Sequence, residues 1–201
     1  MSNFGEYSII SFENDISKIK ENLEISLNLI FFHRYLGSNK YEDAYSILNH
    51  ISYVKLINKD LSNEINNIIE KVEKNFTNNN DLYGQQLTLS FYEKGKNENP
   101  WEIWSFILVL SKKEESKDIK DLDIEQREEK IRDYVIKLIE KLNDKNNYMP
   151  NVKINNDNPD EETFTHKFKI DDIFKKEDYL SLFNNYMKKD QNNVIVVNYL
   201  P

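Results

Sequence analysis

The chain carries three histidines, His33, His50 and His166, and no cysteine. Without a thiol there is no thiolate metal site, no disulfide framework and no cysteine nucleophile, and three scattered histidines argue against a multi-histidine metal centre. His166 lies in an alternating segment with apolar neighbours, where a partly buried structural histidine is the plain expectation. His33 and Arg34 close a helical pattern, where the helix dipole favours cationic side chains. His50 falls in a tight turn and is expected in solvent. Carboxylates cluster at Glu114-Glu115, Glu128-Glu129 and Asp160-Glu161-Glu162, and such clusters could hold a divalent ion. They alternate with lysines, as a solvated face does, and nothing points to the burial that paired catalytic carboxylates need. The four glycines, Gly5, Gly37, Gly84 and Gly95, stand singly. There is accordingly no phosphate-cradling loop, and neither G-x-S-x-G nor H-E-x-x-H occurs. No catalytic residue, metal ligand or cofactor is expected.

The other concentrated chemistry is aromatic. Pro100-Trp101-Glu102-Ile103-Trp104 holds both tryptophans of the chain. On a strand, positions 101 and 104 face opposite sides. One ring is therefore expected under a helix and the other over the sheet edge, with Trp101 and Trp104 as a possible surface anchor for a partner.

The elements that position these residues belong to a chain of 201 residues, which suits one domain over residues 1–201. A net charge of −8 and a pI near 5.1 argue against a general nucleic-acid-binding surface. The 28 asparagines, 24 lysines, three arginines and single alanine (Ala44) are what AT-rich codons produce, and are not read as disorder or as a binding patch. The N-terminus has no basic region followed by an apolar stretch. The longest apolar run, Ile103 to Leu110, falls far short of the ~20 residues of a membrane span. A soluble cytoplasmic protein without membrane insertion is expected.

Glu6 to Glu13 reads as a strand. Asn14 is placed as the cap of a helix to about Arg34, with Ile16, Ile19, Leu23, Leu27 and Ile30 on one stripe and Phe31 and Phe32 widening it, so that it is buried on more than one side; Gly37 follows as its stop. Ala44 to Leu48 and Ser52 to Ile57 suggest a hairpin. Asp60 is placed as the cap of a second helix with Leu61, Ile65, Ile68, Ile69, Val72 and Phe76 on one side. Gln86 to Glu93 alternates, with Leu87, Leu89 and Phe91 on one face and Thr88, Ser90 and Tyr92 on the other. Trp101 to Ser111 reads as a central strand. A third helix, about Ile124 to Asn143, carries Ile131, Val135, Leu138 and Leu142, and Tyr148-Met149-Pro150 closes it. Thr163 to Ile170 is a one-faced strand, Asp171 to Lys189 looks helical, and Asn193 to Leu200 is strand-like. The order predicts an α+β domain: an antiparallel sheet with three main helices packed on one face, a core over about residues 6–170, and a C-terminal helix and strand over 171–201.

Several of these segments, in order, resemble the autophagy-related protein 101 family. Leu87-Thr88-Leu89-Ser90-Phe91-Tyr92 followed by Pro100-Trp101-Glu102-Ile103-Trp104 looks like its "LEFY…PWEVW" hairpin. Phe32-His33-Arg34 before Gly37 is similar to its "LHR-STG" helix end. Tyr45-Ser46-Ile47 and Tyr53-Val54-Lys55 resemble its "YSI" and "YVRV" strands, and Asn143 with Tyr148-Met149-Pro150 its "MN…YLP". The resemblance implies a HORMA fold and a non-catalytic adaptor that binds and stabilises the HORMA domain of autophagy-related protein 13. Through that subunit it would belong to the kinase complex that starts autophagosome formation, at the phagophore assembly site. Two departures stand out. The loop Glu93 to Asn99 is short and lacks the aromatic tip that recruits downstream factors in the family, so that role is not carried over. The hairpin from Ile47 to Tyr53 is also shortened.

HORMA proteins pair largely through the third helix. With Ile131, Val135, Leu138 and Leu142 turned inward, Arg132, Ile136, Ile139 and Asn143 fall about 80–140° round from Ile131 at 100° per residue. These four, with His33, are the expected partner-binding residues; Ile136 is apolar where a solvated helix should be polar, and a wider core stripe would explain Ile139 well but Ile136 poorly. Two rival readings remain: a checkpoint- or meiosis-type HORMA protein trapping a peptide under its last ~30 residues, and an unrecognised hydrolase, which the missing nucleophile and histidine constellations disfavour.

Overall fold

The computed structural model describes residues 5–35, 40–48, 50–78, 84–96, 98–110, 124–144, 164–175 and 193–197. The elements run β1 (Gly5–Glu13), α1 (Ile16–Arg34), β2 (Tyr41–Ser46), β3 (Ile51–Leu56), α2 (Lys59–Asn78), β4 (Gly84–Glu93), β5 (Glu102–Leu110), α3 (Ile124–Leu142), β6 (Phe164–Phe174) and β7 (Val194–Val197). Five strands form one sheet in the order β6-β4-β5-β1-β7, and β2 and β3 form a separate two-stranded ribbon. The result is the expected α+β fold, with three helices among the described residues, consistent with a HORMA domain.

The sheet is mixed where a purely antiparallel one was expected. β4 pairs antiparallel with β5 and β6, but β1 runs parallel to both β5 and β7. Parallel neighbours need long crossovers. The helices between β1 and β5 supply one, so the first strand sits inside the sheet with a neighbour on each side.

Local sequence explains most boundaries. α1 begins one residue later than expected: Asp15, not Asn14, is its N-cap, accepting from the Ser17 N–H at 2.9 Å. α2 is capped by Asn58, whose Oδ1 accepts from the Leu61 N–H at 3.0 Å, so Asp60 lies inside the first turn and favours the dipole there. The ribbon register runs Tyr41↔Leu56 to Ser46↔Ile51, so the turn is Ile47 to His50, and His50 takes the left-handed φ of 50°. Residues 171–174 continue β6 as strand instead of opening a helix. Residues 176–189 of that expected helix, Gly37, Tyr148-Met149-Pro150, Glu114-Glu115, Asp160-Glu161-Glu162 and residues 198–200 lie outside the described residues.

One face of the sheet carries the main core. Leu87, Leu89 and Phe91 of β4, Trp104, Phe106 and Leu108 of β5 and Tyr7 and Ile9 of β1 meet α1, whose Ile19, Leu23, Leu27, Ile30 and Phe31 are buried. α1 touches α2, α3, β1, β3 and β5, as its wide apolar surface predicts. Each such buried Leu, Ile or Phe contributes about 1.5–3 kcal/mol. On the opposite face Ile10, Phe12, Ile107, Val109 and Phe174 form a smaller cluster with Val194 and Val196.

Candidate partner interface

α3 presents its surface because its buried side is fixed along its length. Ile131, Tyr134, Val135, Leu138 and Leu142 are buried, which is the expected stripe with Tyr134 added. Polar contacts reinforce this packing at three levels. Near the start, Arg127 Nη2 lies 3.9 Å from Glu13 Oε1, and Glu13 also accepts from Asn22 Nδ2 at 2.8 Å. In the middle, the Tyr134 hydroxyl meets the Ser26 hydroxyl of α1. At the end, Arg34 Nη1 donates to the Leu142 carbonyl at 3.1 Å. Burial pushes the Tyr134 hydroxyl well above its ordinary range, so it stays neutral and hydrogen-bonded.

Arg34 is the centre of a polar cluster. It ends α1, yet it is only 1% exposed, and its Nε bridges both carboxylate oxygens of Glu102 at 2.8 and 3.0 Å. Glu102 also accepts from the Trp104 indole N–H, and the Tyr7 ring stacks on Trp104 with centroids 4.4 Å apart. Burial pushes the Glu102 carboxyl up, while Arg34 and Trp104 favour its charged form and oppose that shift. Burial and the Glu102 charge push the Tyr7 hydroxyl up to about 12. Arg34 stands in the last turn of α1, as the helix dipole favours, but its charge is met chiefly by a carboxylate in the core. The cue in the sequence was Glu102 itself, a charge between two tryptophans where a strand should be apolar.

The expected site residues separate into three groups. Arg132 and Ile136 are exposed on α3, with Ile136 48% exposed, and Asn143 is exposed in the turn just past its end. Ile139 is half-buried and packs against the core, so it borders this surface. His33, on α1, is half-buried, with its Nδ1–H donating to the Leu29 carbonyl at 2.8 Å. Burial, aided by the charge of Arg34, lowers its pKa from the ordinary value. The Arg34–Leu142 bond joins the residues adjoining His33 and Asn143, which brings the two motif-bearing helix ends together.

Trp101 and Trp104 do not form a surface anchor: they are 6% and 0% exposed. Trp101 precedes β5, so strand alternation does not reach it. Its carbonyl accepts from the Gly5 N–H at 3.2 Å, and its ring packs against Phe91 and Phe164. Both rings therefore join the aromatic core.

His166 is a structural residue, as expected. It sits among Phe31, Phe91 and Phe168, with its Nε2 2.9 Å from Glu64 Oε2. His50 is exposed near Glu128, at 3.8 Å. Among the described residues no group of three or more His, Asp or Glu is placed to hold a metal ion, and no helix is long and apolar enough to cross a membrane.

The family model described as autophagy-related protein 101 matches residues 11–156. That span contains α1, the ribbon, α2, the β4–β5 hairpin and α3. No curated protein matches the chain.

Proposed function

Because the chain belongs to the autophagy-related protein 101 family, we propose that it is a non-catalytic HORMA adaptor of the autophagy-initiation kinase complex. In this reading it binds and stabilises the HORMA domain of autophagy-related protein 13 and acts in the cytoplasm at the phagophore assembly site. The contact surface is the outward face of α3, with Arg132 and Ile136 at its centre, Ile139 at its border, Asn143 just past its end and His33 at the adjoining end of α1.

One observation supports this choice of surface. Ile136 is 48% exposed in the middle of a helix whose other face is fixed to α1 and β1. A large apolar side chain held in water by rigid surroundings gains most when a partner covers it, and buried central residues of this kind dominate interface energetics. Arg132 stands one turn before it, an amphipathic contact residue of the type enriched at interfaces.

The test is calorimetry of Ile136→Asp against the HORMA domain of autophagy-related protein 13. Affinity is expected to fall roughly 30-fold or more, the loss of a hot spot worth about 2 kcal/mol. The melting temperature of the chain alone should stay within a degree or two, as for an exposed substitution. Wild-type affinity in the variant removes this face from the interface, and absence of binding by the wild type removes the partner.

A further inference from the structure

The β2–β3 ribbon is held to the domain mainly through β3, while β2 touches α1 where the Ser46 hydroxyl bonds Glu21 and the Tyr41 ring meets Phe32. β3 lies on α1, with Tyr53 and Leu56 buried and the Tyr53 hydroxyl donating to Glu24 Oε1 at 3.0 Å. β2 lies outboard, and among the described residues β3 is its only strand neighbour. Tyr41 and Tyr45 are 63% and 58% exposed, and Glu42 and Asp43 between them are exposed too.

The register fixes which backbone groups face outward. The Ile57 N–H donates to the Lys40 carbonyl at 2.8 Å, and the pairs from Tyr41↔Leu56 to Ser46↔Ile51 continue the same register. In an antiparallel ladder, bonded and non-bonded pairs alternate. Lys40, Glu42, Ala44 and Ser46 therefore bond to β3, and the N–H and C=O groups of Tyr41, Asp43 and Tyr45 point to the open edge. Proline, lysine and bulges are missing from β2, and the charged residues that guard its edge, Glu42 and Asp43, are both acidic.

We propose that this edge accepts an extended cationic peptide as a third strand of the ribbon. Backbone pairing to Tyr41, Asp43 and Tyr45 supplies the affinity, as in other strand-addition complexes. A Lys or Arg opposite Asp43 forms an opposite-charge cross-strand pair, and the two tyrosine rings flank its side-chain stem. The acidic balance of the chain, −8, favours the same sign of ligand. A second copy of the chain is a poorer occupant. Only outward-facing residues can form bonded pairs, so a two-fold ribbon would match Tyr41 with Tyr45 and place Asp43 directly opposite Asp43, which is unfavourable.

The probe is a fluorescein-labelled peptide of alternating threonine and lysine, about eight residues long to match a typical strand. Its affinity for the whole chain is read by anisotropy at low salt and compared with the threonine–glutamate peptide and with a threonine–lysine peptide N-methylated at alternate amides. The lysine peptide should bind, the glutamate peptide should not, and N-methylation should abolish binding with the charge intact. Asp43→Lys should weaken binding roughly tenfold and Asp43→Asn less, from loss of the cross-strand charge pair. On binding, the amides of Tyr41, Asp43 and Tyr45 should gain protection from hydrogen exchange, while those of Glu42 and Ala44, already bonded to β3, should not. Equal binding of the N-methylated peptide, or an unchanged affinity in both Asp43 variants, overturns the proposal. A dimer in sedimentation whose new protection maps to β2 also overturns it, because the edge then belongs to a second copy.

Discussion

Arg34 holds both carboxylate oxygens of Glu102 across a separation of 68 residues, and each side chain is 1% exposed. This one pair connects the end of α1 to the start of β5 and, through the Leu142 carbonyl, to the end of α3. A buried pair stabilises little compared with an apolar replacement, because desolvating two charges offsets their attraction. Breaking it is different, since the surviving charge keeps the desolvation penalty without its partner.

Glu102→Gln is therefore expected to destabilise the chain by about 3–5 kcal/mol, read from urea denaturation. The double variant Arg34→Met with Glu102→Leu should recover most of that loss. A single variant within about 0.5 kcal/mol of wild type would contradict the buried geometry.

Two residues of α3, one turn-face apart, should behave oppositely. Leu138 is fully buried and Ile136 is about half exposed. Leu138→Ala should cost about 2–5 kcal/mol through lost burial and a residual cavity. Ile136→Ala should stay within about 0.5 kcal/mol in the free chain. Equal effects in denaturant unfolding would mean that α3 is rotated from the orientation described.

His33 makes stability depend on pH. Burial lowers its pKa from the ordinary 6.5, although its bond to the Leu29 carbonyl opposes the shift. As pH falls below 6.5, the unfolded chain takes up a proton that the folded chain still refuses. Stability therefore falls with pH between 6.5 and the depressed folded value. His33→Gln should remove this contribution, so the melting temperatures at about pH 7.5 and 5.5 should lie closer together in the variant. The same spread in variant and wild type would assign the pH dependence to other groups.

Gly84 starts β4 where no side chain fits. A Cβ there would stand 2.3 Å from Phe174 Cζ and 2.7 Å from the Leu108 carbonyl oxygen. Gly84→Ala is expected to cost about 1–3 kcal/mol by overpacking. Adding Phe174→Leu should restore only part, because the Leu108 backbone cannot withdraw like a side chain. Full restoration would show that the ring alone excludes a Cβ.

Periodicity made much of this fold legible in advance. The six apolar residues of α2, the Leu87–Leu89–Phe91 face and the Ile131–Val135–Leu138–Leu142 stripe are all buried. These are local patterns, set by one element against one surface. What escaped depends on contacts between distant segments. The parallel pairing of β1 leaves no local mark, and Arg34 and Glu102 each look like surface charges until the fold places them together. The tryptophans were misplaced because an alternation rule was extended one residue before the strand begins. Along α3 the exposure of Arg132 and Ile136 follows from helical angle, and Ile139 packs partly against the core, as a wider apolar stripe would have it.

The central position of β1 also imposes an order on biosynthesis. Gly5 to Glu13 leaves the ribosome before the rest of the sheet, but its neighbour Glu102 to Leu110 comes about a hundred residues later, and Val194 to Val197 later still. Until then the strand has no partner on either side, and its Ile9, Ile10 and Phe12 remain uncovered. Contacts this distant in sequence are slow to form. The nascent chain thus carries an unpaired apolar strand until Glu102 to Leu110 has emerged, a segment that chaperones would be expected to protect.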